Sequence, residues 1–67
     1  MLWFLERKTE VLICEIRRAH DGHEYELAIM APGVPERVER FDQPKVLIDR
    51  WLKTQRELQA MGWRPRN

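Results

Sequence analysis

The pair Asp21-Gly22 stands between two runs rich in strand-forming residues, 11–19 and 25–31, and no other feature limits the fold of this chain so tightly. Asp-Gly readily supplies the positive φ angles that a two-residue type I′ hairpin turn requires. A turn at this point fixes a register. His20 then lies opposite His23, Arg18 opposite Tyr25, Ile16 opposite Leu27, Cys14 opposite Ile29 and Leu12 opposite Ala31. Because side chains alternate between the faces of a strand, all of these share one face, which is apolar except near the turn. The other face carries Arg17 across from Glu26, Ala19 across from Glu24 and Glu15 across from Ala28, with Val11, Ile13 and Met30 toward its far end. A slip of one residue would send Leu12, Ile16, Leu27 and Ile29 to water and bury Arg17 and Glu26. Turn chemistry and hydrophobic pattern therefore select the same pairing.

Pro32-Gly33 marks the next reversal, and residues 36–41 are expected to form a third strand. Val38 and Phe41 are an odd number of residues apart, so a regular strand would place them on opposite faces. Either this is a charged edge strand or a bulge turns Phe41 inward. Trp3 to Arg7 is open between a further strand and a segment folded over the rest of the chain.

Asp42 is a candidate N-cap, with Pro44 tolerated in the first helical turn. From there a helix is expected over about 43–61, where Leu47, Trp51, Leu58 and Met61 recur at helical spacing and Ile48 and Leu52 widen the apolar arc. Gly62 is placed to end it as a left-handed C′ residue, which puts Trp63 at C″ in position to pack on Leu58. The expected fold is thus α+β, a single domain over 1–67. It comprises a three-stranded antiparallel sheet (hairpin 11–31 plus edge strand 36–41) packed against one C-terminal helix. The strand-strand-strand-helix order is similar to the layout of some DNA-binding domains, a likeness that says little about function.

A chain of 67 residues buries only roughly 60% of its unfolded surface, and with the single Cys14 it cannot form an internal disulfide. Self-association is the expected compensation. One cysteine on a buried face points to a reducing, cytoplasmic setting. The apolar start, Met1 to Leu5, is too short to span a bilayer, so no membrane partner is expected.

No residue set meets the requirements of an enzyme or a cofactor site. His20 and His23 are two imidazoles where a zinc site wants three or four ligands, and Cys14 lacks an activating cation. The chain has no serine. Glu15, Glu24 and Glu26 lie on a solvated strand face rather than in a cleft.

Two surfaces are candidates for function. The first is apolar, built from Trp3, Phe4, Leu5, Ile48, Trp51 and Leu52, because this helix carries more apolar circumference than one small sheet can cover. It implies a non-enzymatic protein-interaction module, expected to be a homodimer. The second is basic. Residues 1–42 hold six basic and nine acidic side chains, whereas 43–67 hold six basic and two acidic. Arg50, Lys53, Arg56, Arg64 and Arg66 could therefore meet phosphates as a nucleic-acid-binding face.

Overall fold

The computed structural model describes residues 1–66. Strands β1 (Leu2–Arg7), β2 (Glu10–Arg18), β3 (Tyr25–Ala31) and β4 (Val34–Phe41) are followed by the helix α1 (Pro44–Ala60) and a two-residue strand, β5 (Arg64–Pro65). The α+β class holds, with one antiparallel sheet and one helix. The sheet has five strands rather than three, in the order β4-β3-β2-β1-β5.

The first extra strand, β1, is joined to β2 by the two-residue turn Lys8-Thr9, where Lys8 takes a φ of 56°, and the second, β5, pairs with β1 from the other end of the chain. Trp3 to Arg7 belongs to β1, which pairs along its length with β2 and places Trp3 beside Cys14, Phe4 beside Ile13 and Leu5 beside Leu12. Without it β2 would be an unprotected edge. After the helix, Arg64 and Pro65 pair with Glu6 and Leu5, and the Arg66 N–H donates to the Phe4 carbonyl at 2.8 Å.

The β2–β3 register is the one that the hydrophobic pattern requires: Arg18 pairs with Tyr25, Ile16 with Leu27 and Cys14 with Ile29. The turn itself differs. Asp21 does not take a positive φ; only Gly22 does, at φ 80°. The Gly22 N–H bonds the Ala19 carbonyl, Ala19 closes the ladder on Glu24, and Asp21 Oδ1 accepts the His23 N–H. His20 and His23 thus sit in a four-residue loop instead of facing each other in a ladder. The left-handed region costs a residue with a side chain about 1–2 kcal/mol, and this longer loop asks it of glycine alone.

Strand β4 begins at Val34 rather than residue 36, after the Pro32-Gly33 reversal with Gly33 at φ 78°. The register shifts between Ile29 and Ala31, and beyond that bulge the ladder is regular. Val38 beside Ala28 and Phe41 beside Tyr25 therefore do lie on opposite faces, with Phe41 packed against the core.

The helix starts at Pro44, with Gln43 rather than Asp42 at the N-cap position and no side-chain cap bond. A residue that precedes proline is driven to extended backbone, and Gln43 is extended at φ −124°, ψ 128°. Helical geometry can begin only after it. At the other end Gly62 has φ 95°, the Gly62 N–H bonds the Gln59 carbonyl and the Trp63 N–H bonds the Leu58 carbonyl, each at 3.0 Å. This is a Schellman stop, and Leu58 and Trp63 both enter the core.

One face of the sheet meets the helix. Leu5, Leu12, Cys14 and Leu27 from the strands pack with Trp51, Leu58 and Trp63, and Trp3 stacks on Trp51 with ring centroids 4.6 Å apart. Such a pair adds about 0.5–1.5 kcal/mol beyond the area it buries. Arg7 fastens the helix end to the β1–β2 hairpin: its guanidinium lies 4.6 Å over the Trp63 ring, donates to the Met61 carbonyl at 3.0 Å and pairs with Glu10.

Replacing Arg7 by Ala removes a charged hydrogen bond to a helix-end carbonyl and a cation–π contact together, and is expected to cost about 1–3 kcal/mol in urea unfolding. Glu10→Ala, which removes only an exposed ion pair, is expected to cost less than about 1 kcal/mol. Equal losses from the two would place the stabilisation in the ion pair.

Candidate interaction surface

The strand registers also determine what stands on the sheet face away from the helix. Leu2, Phe4 and Glu6 project from β1, Val11, Ile13, Glu15 and Arg17 from β2, Glu26, Ala28 and Met30 from β3, and Val38 and Arg40 from β4. A sheet with water on one side ordinarily alternates apolar inward with polar outward. Here two cross-strand rows on the outward side are apolar: Phe4–Ile13–Met30, and Leu2–Glu15–Ala28–Val38, in which Glu15 is the one charge. Leu2, Phe4 and Val38 are 48%, 44% and 41% exposed.

The next row is ionic. Arg17 donates to Glu26 at 2.8 Å, to Glu15 at 3.1 Å and to Glu36 at 2.8 Å, and Arg40 donates to the second oxygen of Glu26 at 3.0 Å. Glu15 is thereby tied to the ionic row. Glu26 is only 7% exposed although no element covers this face; the two arginines enclose it. The bond from Arg17, with the charges of Arg17 and Arg40, holds the Glu26 carboxyl below its ordinary pKa against the opposing effect of burial. Arg17 is in turn held protonated above its ordinary value, chiefly by Glu26.

The other sequence candidates are dispersed by the fold. Leu5 and Trp51 are each 5% exposed, inside the chain's own core, and Trp3 is half-buried against Trp51. Phe4 points to the opposite side of the sheet. Ile48 and Leu52 remain exposed on the helix, with Val46 nearby. The six residues of the expected apolar surface thus occupy three places. The basic set is split as well: Arg50 pairs with Glu39 of β4 at 3.2 Å, while Arg64 and Arg66 lie by β1, with Arg66 4.0 Å from Glu6. Beta4 and β5 are opposite edges of the sheet. Lys53 and Arg56 are exposed on the helix.

Where the helix leaves β4 uncovered, a cleft of about 340 Å³ has Ile29, Leu58 and Trp63 in its walls together with the charged Arg37, Glu39 and Arg50. The Cys14 thiol is fully buried, and burial pushes its pKa up to about 11. It behaves as a small hydrophobe. Among the described residues no group of three or more His, Cys, Asp or Glu is placed to hold a metal ion, and no helix is long and apolar enough to cross a membrane. No protein-family model matches the chain, and no curated protein or solved structure is detectably similar to it.

The outward apolar rows are the feature that sequence reasoning did not assemble. Ile13 and Met30 were legible on that face from the hairpin, but Phe4 joins them only once β1 is paired with β2. Alternation within Trp3-Phe4-Leu5 was the available signal.

A carboxyl whose pKa is lowered by folding stabilises the fold above its unfolded pKa, about 4.3 for glutamate, and loses that contribution as pH falls through the lower folded value. Glu26→Gln is therefore expected to flatten the stability profile below about pH 4.3, as read from urea midpoints. An unchanged acid slope would show that other carboxylates set it.

Proposed function

We propose that this chain is a non-enzymatic protein-interaction module whose partner surface is the sheet face away from the helix. The observation that carries the reading is the row Phe4–Ile13–Met30 with the exposed Leu2 and Val38 of the next row, where Glu15 is the one charge, bordered by ionic residues already held in place by one another. An apolar centre beside a polar rim is the usual anatomy of a recognition surface. Phenylalanine and methionine, the types at positions 4 and 30, are enriched in the buried centres of protein interfaces.

Two features support a protein partner over a nucleic acid. Arg50, Lys53, Arg56, Arg64 and Arg66 form no continuous stripe, and Arg50 already has a carboxylate partner at hydrogen-bond distance. Arg17 and Arg40, the cations nearest the apolar rows, are committed to glutamates.

Met30 on the proposed surface and Met61 at the helix end provide an internal comparison, since methionine sulfur is readily oxidised where solvent reaches it. Hydroxyl-radical footprinting of the chain in an extract of its own cells, set against the purified chain at high dilution, is expected to show Met30 protected and Met61 unchanged. Equal oxidation of Met30 in both samples would contradict the reading.

A further inference from the structure

We infer that the edge strand β4 is a self-association site, pairing antiparallel with β4 of a second copy about a two-fold axis that passes through Val38 normal to the sheet. The two sheets then run on as one. This inference does not rest on the open face having a partner.

Strand β4 is eight residues long and ends the sheet on one side, whereas the other edge is the two-residue β5. An edge offers its unpaired N–H and C=O groups to any extended chain, and charges along it ordinarily repel a second strand. Here the order of the charges does the reverse for one kind of strand. Residues 36–40 read Glu-Arg-Val-Glu-Arg. Laid antiparallel to its own copy with Val38 beside Val38, this run sets Glu36 against Arg40 and Arg37 against Glu39, and by symmetry each pair occurs twice. Every charge in the run meets its opposite, the cross-strand arrangement that stabilises a sheet.

Symmetry selects this register. A two-fold axis normal to the sheet keeps each face of one copy level with the same face of the other, so it passes through a pair of identical residues. At Glu36, Arg37, Glu39 or Arg40 it would oppose a charge to itself. Registers centred on Val34, Pro35 or Phe41 engage only one end of the strand. Val38 is the centre that uses the whole run with no like-charge pair.

The groups that would meet are accessible. Glu39 is half-exposed and Glu36, Arg37, Val38 and Arg40 are exposed. Glu36 and Glu39 each accept from an arginine of their own chain through Oε1, and Arg40 donates to Glu26 through Nε. Their second oxygens and the Arg40 Nη groups are left for the copy. Arg37 alone of the four has no ion partner among the described residues. The ladder is regular from Arg37 to Phe41, and Glu36 turns to the same side as Arg40, as its bond to Arg17 shows. The helix runs over β3 and β4. A helix centred between two strands about 4.8 Å apart stands about 5 Å from the axis, so the helices of the two copies lie side by side at about 10 Å, an ordinary packing distance. The assembly closes as a dimer, because each copy's other edge is the short β5.

Sedimentation equilibrium of the full chain up to hundreds of micromolar is expected to show a monomer and dimer in exchange. Arg37→Glu and Glu39→Arg each set two like-charge pairs across the axis, and each is expected to weaken self-association by at least about tenfold, with circular dichroism unchanged. An equimolar mixture of the two is expected to restore it as a heterodimer, since the replaced side chains are then opposite in sign and Arg37 of one chain still faces Glu39 of the other. Phe4→Lys on the open face should leave the dimer intact. As a test that does not depend on the charge reversals folding, mixing Arg37→Cys chains with Glu39→Cys chains under mild oxidation is expected to give the mixed disulfide in preference to either homodisulfide; Cys14 is fully buried and takes no part. A chain that stays monomeric throughout this range overturns the inference. So does a dimer indifferent to both charge reversals, a mixture that associates no better than its components, or cross-linking with no preference for the mixed pair. A monomer whose Met30 is protected in extract loses the edge pairing and keeps the open face as an interaction surface. A dimer with the charge dependence above whose Met30 is oxidised equally in both samples does the converse.

Discussion

Everything in this fold depends on the cross-strand register of β2, because that strand pairs on both sides and sorts its neighbours as well as itself. With Cys14 between Trp3 and Ile29, and Ile13 between Phe4 and Met30, adjacent positions on three strands divide cleanly between two faces. Both faces receive large apolar side chains. A single helix of 17 residues can cover only one of them, so the same alternation that builds the core leaves apolar rows on the other side. Core and candidate surface are consequences of one constraint.

The ionic row gives the open face its definition. Glu26 is enclosed by Arg17 and Arg40, and Arg17 in turn holds Glu15 and Glu36. Exposed ion pairs in isolation contribute little to stability. A shared network around an enclosed carboxylate is better suited to orienting its members, and its effect here is to gather the charges of the face into one row. Glu15, the one charge in the apolar rows, is itself paired with Arg17.

Local chemistry was the legible part of the sequence. The β2–β3 pairing followed from alternation around Asp21-Gly22, and the helix stop followed from Gly62 with Trp63 and Leu58 at Schellman spacing. The turn type was misread because Asp-Gly was taken to place both residues at positive φ, whereas a four-residue loop lets Gly22 alone do so. Asp42 lost the N-cap to Gln43 through the restriction that Pro44 imposes on its predecessor. Strand β1 is joined to β2 by the turn Lys8-Thr9, which holds none of the usual turn residues Gly, Pro, Asn or Asp, and β5 is two residues long with its partner at the other end of the chain. Reading Trp3, Phe4 and Leu5 as one apolar block followed from that gap. As a strand, the same three residues alternate, two joining the core and one the opposite face. The Arg17–Glu26 pair was visible across the hairpin, but Arg40 and Glu36 join it only through the β3–β4 pairing beyond the bulge.

The central claim is that the outward face of the sheet, and not the exposed helix, is where this chain meets a protein. Methyl NMR of the labelled chain in an extract of its own cells, with a soluble paramagnetic chelate present, reads it most directly. The account predicts that the Ile13 and Met30 methyl signals are shielded from relaxation while those of Ile48 and Leu52 broaden freely. Shielding at Ile48 and Leu52 with free broadening at Ile13 and Met30 would contradict it.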